Sequence, residues 1–313
     1  MMIATRTYTA APDLPHESWG PDLEARFEWR GIVGLGGFAQ IHRVIDRANG
    51  QWRALKLLRA DMSHSRAAHR SFATEVRAYD RLRWPGLATL YDTGISKRGL
   101  PWMALELLEG ATLSQLLRRH RRLTFLQATA LIATAARAVS AIHAQGVFHR
   151  DLNPSNIMLL RHRRGPARVV ILDFGLAVLD RASLGNNTHP TSICGTPSYM
   201  APEQIRGIEV GPSCDIYALG AMLCALLTGH PPFAASHDLG LMLQHALAPF
   251  PRHLSRQLPP ALLPIIKRAM AKTPQERHPS AFALRQSLML ALQNAVAGRR
   301  QRTVGDMRRV KAA

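Results

Sequence analysis

Between residues 149 and 175 the chain sets out carboxylates and amides in two short loops. They are His149-Arg150-Asp151-Leu152-Asn153-Pro154-Ser155-Asn156 and, after a short strand pair, Asp173-Phe174-Gly175. Carboxylate and amide oxygens are the ligands that a small hard cation takes, and a further carboxylate can orient a hydroxyl for attack on phosphorus. The inventory suits phosphoryl transfer, a reaction that asks for positioning and charge and for little other protein chemistry. Two upstream features fit the same chemistry. The run Gly34-Leu35-Gly36-Gly37-Phe38-Ala39-Gln40-Ile41 puts glycines on a turn between strands, where backbone amides can approach a polyphosphate without side-chain clash. Ala54-Leu55-Lys56 then sets one lysine in an apolar strand. A buried ammonium is costly unless paired, so Lys56 needs phosphates or a carboxylate, and Glu75 is the expected partner. Taken singly, the glycine run is an ordinary hairpin turn and the lysine pair an ordinary surface ion bridge.

These residues need elements to hold them. From Arg26 to Ala60, short alternating or β-branched runs broken by glycines read as strands joined by tight turns. Phe72, Val76 and Tyr79 fall at helical spacing among charges, which predicts an amphipathic helix over 65–83 with Glu75 on its inner side, ended by Trp84-Pro85-Gly86. Two short strands follow near 88–92 and 102–107, then helical segments near 124–145, 215–228, 260–271 and 280–297. The fold class read from this order is α+β. An N-lobe of residues 27–107 carries a small, mostly antiparallel sheet with one helix, and a larger, mainly helical C-lobe spans 108–292. Residues 1–26, with three prolines, read as a flexible arm, and 293–313 as the end of the last helix and a mobile basic tail.

The glycine loop, Ala54-Leu55-Lys56, Glu75, His149-Arg150-Asp151, Asp173-Phe174-Gly175 and Ala201-Pro202-Glu203 occur in this order. With them the chain resembles the eukaryotic-type protein kinase family, also widespread in bacteria, from about Phe27 to Leu292. The resemblance implies a bilobal kinase fold and a serine/threonine kinase that moves the γ-phosphoryl group of ATP to hydroxyls of protein substrates. It places Lys56, oriented by Glu75, on the α and β phosphates, under the amides of Gly34, Gly36, Gly37 and Phe38. Asn156 and Asp173 would bind magnesium, with manganese as the substitute ion, and Asp151 would be the base that positions the substrate hydroxyl. Val33, Ile41, Ala54 and Met158 would sandwich the adenine, with backbone groups of Glu106 and Leu108 on its edge and Leu105 as gatekeeper. Thr196 accompanies serine/threonine specificity. Glu203 and Arg277 match a buried structural bridge, and Asp215 matches an acceptor for catalytic-loop amides. Ser192, or its neighbour Thr191, is the expected autophosphorylation site, with Arg150 poised to pair with the phosphate.

Two positions depart from the family pattern. Ala39 replaces the third glycine of the loop and adds one methyl near the phosphates. Asn153, counted with Asp151 and Lys56 as catalytic, stands where serine/threonine kinases usually carry a lysine two residues after the catalytic aspartate. An amide still donates a hydrogen bond, but charge-assisted bonds are about twice as strong as neutral ones. Asn153 therefore keeps open a second reading, a pseudokinase that signals by contact. The intact Lys56, Asp151, Asn156 and Asp173 speak against it, and Ala201-Pro202-Glu203 speaks for a protein substrate over a small-molecule one.

Forty basic residues against 21 acidic give a formal net charge of +19, and five of the basic ones are lysines: Lys56, Lys97, Lys267, Lys272 and Lys311. This balance favours acidic substrate segments, and Thr112 and Ala225 stand where arginine-preferring kinases carry acids. The clusters Arg118-Arg119-His120-Arg121-Arg122 and Arg161-His162-Arg163-Arg164 lack interleaved aromatics, so they read as solvated loop ends in preference to a nucleic-acid surface. The apolar stretch from Ile216 to Leu227 is too short to span a bilayer, and the first residues lack a signal-like apolar core. The expected location is the cytoplasm, with no membrane partner. Cys194, Cys214 and Cys224 form no CxxC pair, which argues against a disulfide framework and a zinc site.

Overall fold

The computed structural model describes residues 19–82, 84–160, 168–175, 178–179, 196–208 and 210–312, with side chains followed to residue 297 except at 178–179. Two compact units result; the first ends at Glu109, the second begins at Gly110, and Trp84–Leu87 belongs to the second.

In the first unit a six-residue helix α1 (Pro21–Arg26) leads into β1 (Phe27–Leu35), β2 (Ala39–Asp46) and β3 (Gln51–Leu58), and α2 (Arg66–Arg81) precedes β4 (Leu90–Ile95) and β5 (Pro101–Glu106). The five strands pair antiparallel in the order β1-β2-β3-β5-β4. Ser65 caps α2 by accepting the Ala68 amide at 3.3 Å, and Phe72, Glu75 and Tyr79 line its buried face. The expected α+β order, sheet then helices, is the observed one.

The arm read at 1–26 ends earlier than expected. Trp19 and Leu23 are each 1% exposed and Phe27 is 2% exposed, and they join Val44, Leu55, Leu57 and Trp102 in one core. Only Leu23 lies within the six-residue α1, and three apolar residues spaced four apart are too short a pattern to stand out beside three prolines. Arg26 seals the edge of this core: its guanidinium pairs with Asp92 at 2.5 Å and lies over the rings of Phe27 and Trp102. Asp22 accepts the Lys97 amide at 3.1 Å and ties α1 to the β4–β5 turn.

Beneath Trp19 lies His42, 4% exposed, with its ring 4.9 Å from the indole and both ring nitrogens lacking a hydrogen-bond partner among the described residues. Burial lowers its pKa from 6.5 to about 4. The folded state thus refuses a proton that the unfolded chain accepts, so stability is lost as pH falls from about 6.5 towards 4. Trp19→Ala is expected to cost about 3–5 kcal/mol in urea unfolding, as for other large-to-small changes in a packed core. His42→Leu is expected to flatten the acid slope, and an unchanged slope would remove His42 as its cause.

The second unit begins with β6 (Gly110–Thr112), α3 (Leu113–His120), α4 (Phe125–His143) and β7 (Val147–Phe148). It continues through β8 (Ile157–Leu160), β9 (Arg168–Ile171), β10 (Val178–Leu179), α5 (Pro202–Ile205) and α6 (Ser213–Thr228), and ends with α7 (Asp238–Leu247), α8 (Arg252–Gln257), α9 (Leu263–Ala269) and α10 (Ala281–Ala312). Capping boxes start α3 at Thr112 with Gln115 and α4 at Thr124 with Gln127. The segment Trp84–Leu87 joins this unit because the Ile171 amide donates to Gly86 and the Arg168 guanidinium to the carbonyls of Pro85 and Leu87.

Helix α4 is long and apolar enough to cross a membrane by length and composition, and more than half of its most apolar stretch is buried. Its neighbours are α6, α10 and β9. Gly220 lets α6 approach α9, since a Cβ there would sit 2.7 Å from that of Ala269. Helix α10 packs on α4, with Ala281, Leu284, Leu288 and Ala291 buried, and its backbone stays helical through Ala312, across the stretch where the sequence predicts a mobile basic tail after the end of the last helix.

Candidate active site

In the first unit the β-ladder brings the expected nucleotide residues to one face. Ile41 stands opposite Lys56, and Lys56 opposite Met103; Ala54 stands opposite Leu105. Directly opposed residues of an antiparallel pair share a face, and so do residues two apart on one strand. Lys56 Nζ donates to both carboxylate oxygens of Glu75, at 2.7 and 2.6 Å, with both residues buried. This excludes a screened surface bridge and makes each charge dependent on the other.

The glycine loop joins β1 to β2, closed by the Gly36 amide on the Ala39 carbonyl at 2.8 Å. None of Gly34, Gly36 and Gly37 has a positive φ. Glycine here supplies missing bulk, and a Cβ at Gly37 would meet no atom within 4 Å. Val33 and Phe38 are exposed, Ile41 is half-buried and Ala54 is buried. The Glu106 amide donates to Thr89 at 2.8 Å, so any contribution of Glu106 to a base edge is through its carbonyl. Leu108 follows β5 and is half-buried.

The second unit assembles the acids. Asp215, at the first turn of α6 and 1% exposed, accepts the His149 amide on Oδ2 and the Arg150 amide on Oδ1, both at 2.9 Å. It also meets His143 Nε2 at 2.8 Å. Burial pushes this carboxyl up, but the His143 hydrogen bond and the nearby imidazoles outweigh it and hold the group below its ordinary range. His149 is fixed too: Nδ1 accepts the Asp151 amide at 3.3 Å, so the proton sits on Nε2, which donates to the Leu172 carbonyl at 2.9 Å. Its ring lies 4.9 Å from that of the fully buried Phe174. Arg150 and Asp173 have φ of 65° and 60°. Non-glycine residues adopt such values at a cost, sustained at Arg150 by the bond from its amide to Asp215 and by the bond from Gln204 to its carbonyl.

The Asp151 carboxylate sits on this frame. Its Oδ1 accepts the Thr196 amide at 2.8 Å and the Thr196 hydroxyl at 3.0 Å. Asn156 Nδ2 donates to the Asp151 carbonyl at 2.9 Å and reaches Oδ2 at 3.3 Å. Asn153 Nδ2 donates to the Asp151 carbonyl and to Thr196 Oγ1. With Nδ2 of Asn156 committed, its Oδ1 is the end that can face a cation, and the Leu172 amide on the Asn156 carbonyl at 2.9 Å brings Asp173 to the same loop. These hard oxygen donors fit magnesium. Met158, half-buried on β8, lies opposite Val170 and Thr112.

Glu203 and Arg277 form a bidentate pair at 2.6 and 2.7 Å, each 1% exposed. Two residues of this frame carry no sequence signal. Gln204 donates to the Arg150 carbonyl at 2.7 Å while accepting the Ala201 amide at 3.0 Å, and His143 reaches Asp215 from the end of α4. Cys214 is buried with its thiol pushed well above its ordinary value by burial, and burial raises Cys224 to about 12, so neither is a reactive thiol. Cys194, Thr191, Ser192 and the cluster 161–164 lie outside the described residues.

Residues 27–289 match the family model described as protein kinase domain. The chain is similar to serine/threonine-protein kinase PknB of Mycobacterium tuberculosis, with 31% identity over 274 residues, 85% of this chain and 43% of that protein. It is similar to PknB of Mycolicibacterium smegmatis, with 32% identity over 275 residues, 85% and 43% of the two chains. It is also similar to serine/threonine-protein kinase pkn3 of Myxococcus xanthus, with 32% identity over 275 residues, 86% and 50% of the two chains. The chain thus spans half or less of the length of these relatives.

Proposed function

We propose, for a chain that belongs to the protein kinase family, that it transfers the γ-phosphoryl group of ATP to serine or threonine hydroxyls of a protein. The observation that carries this reading is the Asp151 carboxylate, with Oδ1 held by the amide and hydroxyl of Thr196 and Oδ2 less firmly engaged, at 3.3 Å from Asn156. A substrate hydroxyl donates its hydrogen to Oδ2, which aims the oxygen lone pair at phosphorus and receives the proton as the new P–O bond forms and the bond from the γ phosphorus to the bridging oxygen of departing ADP breaks. Lys56, steadied by Glu75, holds the α and β phosphates, and the bare amides of the glycine loop cover them. Asn156 and Asp173 would hold magnesium, which would supply positive charge to offset that of the phosphates. That these relatives are serine/threonine-protein kinases by name supports serine/threonine catalysis over a pseudokinase. A cytoplasmic location, where ATP is supplied, goes with this reading and would fall if fractionation of cells found the domain elsewhere.

Transfer of label from γ-labelled ATP by the purified chain tests the activity, with Asp151→Asn as control. Equal labelling by both would overturn it. Acidic substrate segments are part of the proposal. Thr112 is committed to capping α3, and Ala225 is fully buried, so neither position presents a carboxylate to an arginine. With the net charge at +19, kcat/KM for an acidic peptide is expected to fall as salt rises. A peptide array favouring arginine upstream of the acceptor would contradict this.

A further inference from the structure

We infer that Asn153 is a positioning residue, acting on Asp151 through Thr196, and that its side chain makes no contact with the phosphoryl group. The inference rests on the kinase reading above. Asn153 is 5% exposed, and all its side-chain groups end inside the protein. Oδ1 accepts the Ser155 amide at 2.9 Å, closing a turn in the catalytic loop. Nδ2 donates to the Asp151 carbonyl at 3.1 Å and to Thr196 Oγ1 at 2.9 Å. A primary amide has two N–H donors, and these two acceptors account for both. None remains for a phosphate oxygen.

The consequence falls on Thr196. A hydroxyl has one hydrogen and two lone pairs. With an Asn153 N–H directed at a lone pair, the Thr196 hydrogen turns to Asp151 Oδ1, 3.0 Å away. That bond and the Thr196 amide pin Oδ1 and leave Oδ2 as the oxygen that meets the substrate. Asn153 therefore links the catalytic loop to Thr196. A lysine at 153 would bring a charge but could not accept the Ser155 amide.

Asn153→Ser tests the inference, because serine can still accept the Ser155 amide but is too short to reach Thr196. In single-turnover assays with a protein substrate it is expected to lower the transfer rate about tenfold, as for one lost positioning bond, with KM for ATP within about twofold. In a Thr196→Val background the same substitution is expected to cost less than about twofold, because the route is already cut. Equal costs in both backgrounds would overturn the inference, as would a raised KM for ATP at unchanged rate. Should Asn153→Ser fail to fold, as judged by its melting transition, Asn153→Lys serves instead. The inference expects that variant to be slower, and a faster one would place position 153 against the phosphoryl group. An unaltered chain that labels no more than Asp151→Asn would sink the kinase reading. An active chain matched by Asn153→Ser would sink only this inference.

Discussion

Lys56→Met is expected to lower turnover by on the order of a thousandfold, because on the proposed reading it removes the ammonium that holds the α and β phosphates while keeping the length of the stem. The loss should lie in the rate at saturating ATP as well as in KM, since a positioned charge strengthens as the phosphoryl oxygens develop theirs. The buried geometry adds a second effect. Glu75 is 3% exposed and bonds Lys56 through both oxygens, so the methionine takes two charge-assisted hydrogen bonds from a buried carboxylate. Breaking such a pair from one side costs about 3–5 kcal/mol. The sequence alone suggests a variant that is inactive and otherwise sound; the structure predicts one that is inactive and also destabilised. Adding Glu75→Gln removes the buried negative charge that has lost these two bonds, so the double variant should recover part of its urea midpoint and none of its turnover. Recovery of turnover in the double variant would remove Lys56 from the site.

Arg277→Met is expected to destabilise the second unit by a similar amount, about 3–5 kcal/mol, with no direct effect on phosphate binding. The guanidinium satisfies both oxygens of Glu203 and also donates to the carbonyls of Ala271 and Ser213, at 2.8 and 2.9 Å. Arg277→Lys should recover little, since an ammonium cannot reproduce the planar fork of donors. Some activity should be lost as well, because the neighbour of Glu203, Gln204, holds the Arg150 carbonyl beside Asp151. A loss under about 1 kcal/mol in urea unfolding would mean that the pair contributes little beyond its neighbours' packing. Replacing Glu203 and Arg277 together by apolar residues should cost less than either single change, since neither charge is then stranded.

Much of the site was legible in the linear text because its chemistry admits few residue types. A lysine in an apolar strand needs a carboxylate, and Glu75 was the acid on the inner side of the next helix; the two meet at 2.6 Å. Asp215 at the head of its apolar helix and the Glu203–Arg277 bridge were implied by the resemblance to the kinase family, and all three residues are buried. The strand-then-helix succession needed only local periodicity and turn residues, so the α+β class was readable before any contact was known.

What the text withheld depends on which way side chains point after the chain has packed. Trp19, Leu23 and Phe27 form a stripe of only three apolar residues, and nothing local distinguishes them from a polar, proline-rich arm until the sheet offers Val44, Leu55 and Trp102 as a partner surface. Gln204 and Arg150 lie 54 residues apart, and His143 and Asp215 lie 72 apart. Such pairs leave no periodic trace. Asn153 is the sharpest case: its type announced a missing charge, but its role turns on Thr196, 43 residues away, and on an amide whose two donors tertiary packing has already claimed. Residue type sets what a side chain is able to do, while the packed fold decides which of its bonds remain open to a substrate, because a buried polar group must be satisfied by whatever the fold brings next to it.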